Sequence, residues 1–76
     1  KRGVYGFSRE QDDVRIVTLV NAANDTRPLP WDNVGPWVQD AVAMERLQPD
    51  GTLAADVLTP EDTLGAWSHQ VWVIRR

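Results

Sequence analysis

Two hydrophobic stretches near the start of the chain are typical of β-strands. Residues 4–8 are short and rich in strand-favouring side chains, and residues 14–21 are dominated by β-branched ones, which lose rotamer freedom in helices and favour extended backbone. The polar residues 9–13 between them include aspartates, which supply turn chemistry. The pattern therefore predicts a β-hairpin.

Further strand and turn signals follow along the chain. Residues 21–25 predict a turn, and the prolines within residues 26–31 permit an edge strand but exclude a central one. Residues 32–36 have the composition of a loop. The Pro-Asp-Gly sequence at 49–51 is a strong turn signal between two segments that could pair. The apolar residues 71–74 predict a final strand.

One segment, residues 36–47, fits two descriptions. As a helix it places Trp37, Ala41 and Met44 on one face, and Pro36 suits a first helical turn. As a strand it alternates poorly between apolar and polar positions. Helix is the better local prediction, both options stay open, and the predicted class is all-β in either case: a small antiparallel β-sandwich with room for one short helix around residues 36–47.

Two of the predicted strands carry apolar side chains on both faces. In residues 14–21 the two faces carry Val14, Ile16 and Val20 on one side and Val17 and Leu19 on the other. In the last strand Val71 and Val73 oppose Trp72 and Ile74. A chain of 76 residues can build one sandwich core but has little material left to cover a second face. We therefore predict that one outer sheet face packs against another domain and is an exposed apolar patch in this unit.

Composition excludes several classes of site and partner. The net charge is −3 with acids and bases interspersed, which argues against nucleic acid and against an anionic membrane surface as partners. Because the chain has no Cys and one His, it cannot form a disulfide framework or a Cys/His zinc site. No metal or cofactor is expected.

The first residues and the lack of Cys bear on two questions: whether the chain belongs to a longer protein, and in which compartment it lies. The start at Lys1 has neither an initiator Met nor the apolar segment of a signal peptide, so we interpret it as a cut inside a longer protein. A chain without Cys fits a reducing compartment but does not require one. Localisation is left open, with the cytoplasm slightly favoured over secretion.

The order of these segments resembles the C-terminal domain of α-amylase-family glycoside hydrolases. Such domains open with a strand that carries an aromatic residue and Arg, followed by a hydrophobic strand that ends in Asn, as residues 4–9 and 14–21 do. The later segments that resemble the family are residues 39–42, 50–53, 64–67 and 71–74. The family usually has prolines before its last strand, where this chain has Gly65, Ala66 and Trp67.

The resemblance implies a Greek-key β-sandwich that spans residues 1–76 as one C-terminal accessory domain of a larger enzyme. It implies a non-catalytic role: the domain packs against a (β/α)8 barrel of the same polypeptide and stabilises it, while the barrel holds the catalytic carboxylates. The parent protein would be a glycoside hydrolase or transglycosidase active on α-glucans or α-glucosides. An unrelated protein-binding sandwich is a further possibility.

Candidate catalytic groups in the chain have simpler explanations. The paired acids are Asp12 with Asp13, Asp50 with Asp56, and Glu61 with Asp62, and all of them fall in predicted turns or loops. Glycosidase carboxylates need a substrate cleft and one buried acid. Ser68 and His69 are adjacent, and neighbours on an extended chain point to opposite faces. No catalytic residue is predicted.

Tryptophan is enriched, with 4 in 76 residues. Trp72 within the last strand and Trp67 just before it are predicted to pack in the core or against another domain. Trp31 and Trp37 flank a Gly/Pro loop, where exposure would allow an indole ring to stack on a sugar. The alternative function is therefore a carbohydrate-binding module that contacts α-glucan through Trp31 and Trp37.

Overall fold

The computed structural model describes residues 3–76, so Lys1 and Arg2 lie outside the described residues. In chain order the elements are β1 (Val4–Gln11), β2 (Val14–Asn21), β3 (Arg27–Pro28), α1 (Trp31–Val38), β4 (Ala43–Leu47), β5 (Leu53–Ala55), β6 (Thr63–Leu64) and β7 (His69–Arg75). Strands β1, β2, β7, β4 and β5 form one antiparallel sheet in that order. Strands β3 and β6 form a separate two-stranded ribbon. The predicted small antiparallel all-β class is confirmed.

The two predicted hairpins are both present. Gln11 pairs with Val14 across the β1–β2 turn, and Asp12 in that turn has a φ of 56°, a left-handed conformation that Asp tolerates. In the β4–β5 turn the Gln48 amide donates to the Thr52 carbonyl at 2.7 Å. Gly51 supplies the positive φ of 88° that this turn requires.

The same turn contains Asp50, whose side chain bonds to the turn itself. The Asp50 carboxylate accepts hydrogen bonds from the Thr52 hydroxyl at 2.7 Å and from the Thr52 amide at 3.0 Å. Both bonds favour the ionised form, so they lower the pKa of Asp50 below its ordinary value of 3.8. Asp50, which the sequence offered as a candidate acid together with Asp56, therefore stabilises its own turn.

The core lies on one face of the large sheet. Val17 and Trp72 occupy opposite register positions in β2 and β7 and are 0% and 2% exposed. Helix α1, strand β6 and the loop residues Leu29 and Leu58 contribute the buried side chains of the layer that covers this face. The buried apolar cluster is Val17, Leu19, Leu29, Val34, Val38, Leu58, Leu64, Trp72 and Ile74.

The position predicted for the helix is wrong in part. The helix runs from Trp31 to Val38, so residues 32–36 are helical and not a loop, and Pro36 lies inside it. Residues 43–47 form β4, which pairs with β7 on one side and with β5 on the other. Ladder hydrogen bonds to two neighbours outweigh the weak local preference of this segment for helix, because strand formation depends mainly on context.

Candidate docking surface

The opposite face of the large sheet carries apolar side chains on all five strands. Cross-strand partners project to the same side of a sheet, so Phe7, Thr18 and Val71 form one row across β1, β2 and β7. Ile16 and Val73 form the next row. We call this surface the open face, and its apolar members are Tyr5, Phe7, Ile16, Val20, Leu47, Leu53, Val71 and Val73.

The open face is accessible to solvent. Tyr5 and Phe7 are each 53% exposed, and Ile16 is 38% exposed at the centre of the sheet. Leu47 and Leu53, which are register partners on β4 and β5, are 42% and 41% exposed. Val73, opposite Ile16, is only 9% exposed, so the exposed apolar side chains lie mainly on the outer strands of this face. Packing of the face against another domain stays a prediction.

Polar and charged side chains border the apolar centre. At one end of the open face Arg75 and Glu45 form an ion pair of 3.0 Å. Arg9 lies beside Ile16 on the edge strand β1, and His69 lies beside Val20 at the other end. An apolar centre with a polar rim is the usual anatomy of a protein interface.

Two of the candidate acids, Asp56 and Asp62, are engaged in local contacts. Asp62 accepts a hydrogen bond from the Thr59 amide at 2.8 Å, which stabilises its own turn. Asp56 lies 3.4 Å from the Arg46 guanidinium, and Arg46 in turn lies 6.0 Å from the centroid of the Trp72 ring. Asp12 and Asp13 are exposed in the first hairpin turn.

The adjacent residues Ser68 and His69, which the sequence did not favour as a catalytic pair, have separate local surroundings. The Ser68 hydroxyl donates to the Gly65 carbonyl within a turn. His69 begins β7 and is exposed on the open face. Among residues 3–76 no group of three or more His, Cys, Asp or Glu side chains is arranged to hold a metal ion.

The two tryptophans proposed to contact glycan lie on one short helix, not on either side of a loop. Trp31 and Trp37 are half-buried and pack against the core cluster. The Trp31 indole lies over Gly35, where an added Cβ would be 2.9 Å from its Nε1. Trp37 packs towards Gly6 of β1, since a Cβ there would be 3.5 Å from its ring. A glycan contact by this pair stays a prediction.

The other two tryptophans differ sharply in their exposure to solvent. Trp72 is 2% exposed and packs in the core as predicted. Trp67 is 69% exposed, so a core position is wrong for it, whereas its predicted alternative, packing against another domain, stays a prediction. Its φ of 53° lies in the left-handed region, which costs a residue other than glycine roughly 1–2 kcal/mol. The alternation of apolar and polar residues along the strands predicts neither the strained backbone of Trp67 nor the exposure of its ring.

Comparison with known proteins adds no relative. The chain matches no protein-family model, no curated protein and no solved structure. In the described part of the chain, no helix has the length and apolar character needed to cross a membrane.

Proposed function

We propose that this chain is a non-catalytic β-domain that packs through its open face against the catalytic (β/α)8 barrel of the same polypeptide, an α-amylase-family glycoside hydrolase or transglycosidase. The observation that carries the proposal is the open face itself. It presents Tyr5, Phe7 and Ile16 to solvent at 53%, 53% and 38% exposure. The identity of the neighbour comes from the resemblance of residues 4–21 and the later segments to that family.

The composition of the open face favours a permanent neighbour. Burial of one large apolar side chain contributes about 1.5–3 kcal/mol, and this face offers several such side chains in adjacent rows. A contiguous apolar surface of this kind is a liability in a free domain. A neighbour within the same polypeptide covers the surface at all times, because its local concentration is high.

The sheet layout supports docking as a rigid layer. Strand β2 is paired along its whole length with β1 on one side and along most of it with β7 on the other. The centre of the open face is therefore held by two complete ladders. A preorganised surface loses little conformational entropy when it binds.

The test uses charge placed on the open face of the polypeptide that carries this chain and its neighbour. Phe7→Lys puts an ammonium group at an edge-strand position that is 53% exposed. We expect a loss of about 2 kcal/mol in the unfolding free energy of the longer polypeptide, because the charge must be buried at the interface. In the isolated chain the change should stay within about 0.5 kcal/mol.

The matched control is Thr63→Lys, which adds the same charge to the exposed ribbon strand β6 on the opposite layer. Thr63→Lys should leave both the longer polypeptide and the isolated chain unchanged. Chemical denaturation followed by fluorescence measures all four cases. An equal response of the longer polypeptide to Phe7→Lys and Thr63→Lys would contradict docking through the open face.

A further inference from the structure

Strand β1 forms one outer edge of the large sheet and is eight residues long. Its pairing with β2 runs without a bulge from Val4 to Gln11, and it contains no proline. The other outer strand, β5, has only three residues. Proteins usually shorten, bulge or cover an outer strand, because its unpaired backbone groups attract another strand. Strand β1 is neither short nor bulged.

The hydrogen bonds of the first hairpin show which backbone groups of β1 point away from β2. The Ala22 amide donates to the Gly3 carbonyl at 3.0 Å, so these two residues form a bonded pair just before β1. Bonded pairs alternate along an antiparallel ladder, so Tyr5, Phe7 and Arg9 bond to β2. The residues whose N–H and C=O groups point outward are Val4, Gly6, Ser8 and Glu10. No backbone group among residues 3–76 bonds to these outward groups.

The outward residues are spaced symmetrically about Phe7. Two copies of β1 can lie antiparallel with a two-fold axis at Phe7, which sets Val4 of one copy opposite Glu10 of the other. Gly6 is then opposite Ser8. Every outward residue donates one hydrogen bond and accepts one across the axis. An axis at Gly6 or at Ser8 would leave an outward residue without a partner in β1.

The side chains on the open-face side of β1 are complementary in the same register. Phe7 meets Phe7 of the other copy at the axis, and Tyr5 is opposite Arg9. Directly opposite aromatic side chains stabilise a sheet, and a guanidinium group is attracted to a phenol ring. An axis at Arg9 would instead set two guanidinium groups opposite each other, which is unfavourable.

The other side of β1 leaves room for a second strand. A cleft of about 190 Å³ lies between β1 and α1, and Gly6 and Trp37 are among the residues that line it. The small Ser8 side chain of the second copy would lie opposite Gly6, beside this cleft. Glu10 forms ion pairs with Arg15, at 3.1 Å, and with Arg76 of its own chain. Its charge is therefore balanced before a second copy approaches.

We propose that β1 pairs with β1 of a second copy of this chain, antiparallel about a two-fold axis at Phe7, so that two five-stranded sheets join into one continuous sheet. The pairing uses the edge of the sheet and leaves most of the open face uncovered. It goes beyond the proposed packing function and does not depend on it. One strand pair buries little surface, so we expect a weak dimer with a Kd of about 0.1–1 mM.

Amide hydrogen exchange of the 76-residue chain tests the proposal residue by residue. Two-dimensional NMR follows the exchange at about 0.05 mM and about 2 mM, in about 0.15 M salt. The Gly6 and Ser8 amides are bonded only in the dimer, so their exchange should slow about two- to fourfold at the higher concentration. The Tyr5 and Phe7 amides are bonded to β2 in either state and should change little. Association through the open face covers side chains and would not produce this alternation.

The decisive variant is Ser8→Pro, which removes an outward N–H that β2 does not use and is tolerated on an outer strand. It should weaken the dimer at least about tenfold. The matched control is Ser8→Ala, which loses the same hydroxyl group, keeps the N–H and should dimerise as the parent chain does. Sedimentation equilibrium measures the association of all three chains, and urea denaturation establishes that each is folded.

Three results would each overturn the proposal. They are a chain that stays monomeric at about 2 mM, equal association of Ser8→Pro and Ser8→Ala, and exchange at Gly6 and Ser8 that does not depend on concentration. If Ser8→Pro does not fold, the exchange pattern of the parent chain decides. None of these results bears on docking through the open face, which Phe7→Lys tests in the longer polypeptide.

Discussion

At the scale of single residues, Asn21 does more for the fold than its polar side chain suggests. It ends β2 and is 1% exposed, and its amide reaches across to the end of β6 and to the loop after β2. From the sequence alone, Asn21 is recognisable only as the residue that ends a hydrophobic strand. Its buried position could not be predicted, because the carbonyls that it satisfies are 43 and 44 residues away in the chain.

We expect Asn21→Ala to lower the unfolding free energy of the isolated chain by about 3 kcal/mol, because buried carbonyl and amide groups lose their partners. Urea denaturation measures the change. The control is Asp25→Ala, which removes an exposed ion pair with Arg27 and should cost less than about 1 kcal/mol. A loss for Asn21→Ala no larger than that of the control would show that the amide network is not stabilising.

Trp67 is the second residue whose role depends on tertiary structure. Its position two residues before β7 predicts packing in the core or against another domain, because tryptophan is highly buried on average. The chain reverses at Trp67 with a positive φ, and the ring turns out to solvent. Local sequence offers only the small neighbours Gly65 and Ala66 as a hint of this reversal.

At the scale of elements, the pairing of β1 with β2 is unusually close at Gly6, because this residue has no side chain. A Cβ at position 6 would lie 2.8 Å from the Leu19 Cδ2 and 3.1 Å from the Thr18 carbonyl oxygen. Leu19 is 0% exposed and cannot move freely. The glycine therefore leaves room for the buried Leu19 side chain beside the backbone of β1.

We expect Gly6→Ala to destabilise the isolated chain by about 2 kcal/mol through overpacking. Gly51→Ala is the matched control, since its Cβ would meet no atom within 4 Å while its φ is 88°. That variant should cost about 1 kcal/mol from backbone strain alone. Thermal unfolding gives the two losses, and NMR should show shifted Leu19 methyl signals only in Gly6→Ala. Unmoved Leu19 signals in Gly6→Ala would contradict the close approach.

At the scale of the whole molecule, the chain has one well-covered sheet face and one open face. The Cα radius of gyration is 12.0 Å, and the buried cluster lies entirely between the large sheet and the layer made by α1, the ribbon and loops. The open face therefore governs how the isolated chain behaves in solution. An exposed apolar surface of this kind favours association between copies of the chain.

We expect the isolated 76-residue chain to associate reversibly at concentrations of roughly 0.1–1 mM. Phe7→Lys should shift it to monomer, because the charge resists burial between two open faces, and Thr63→Lys should associate as the parent chain does. Sedimentation velocity at several concentrations measures this. A chain that stays monomeric at about 1 mM would show that the open face does not drive self-association, contrary to what its apolar composition predicts.

The sequence by itself determined the all-β class, the first hairpin, the final strand, the Pro-Asp-Gly turn and the presence of an apolar face beyond the core. These features follow from local chemistry: β-branched content, a period of two and turn residues. Tertiary structure alone decided that residues 43–47 form a strand, that the helix lies at Trp31–Val38 and that Trp67 faces solvent. The physical reason is that each of these depends on partners distant in the chain, such as Val73 opposite Glu45 and Ala23 bonded to Trp67.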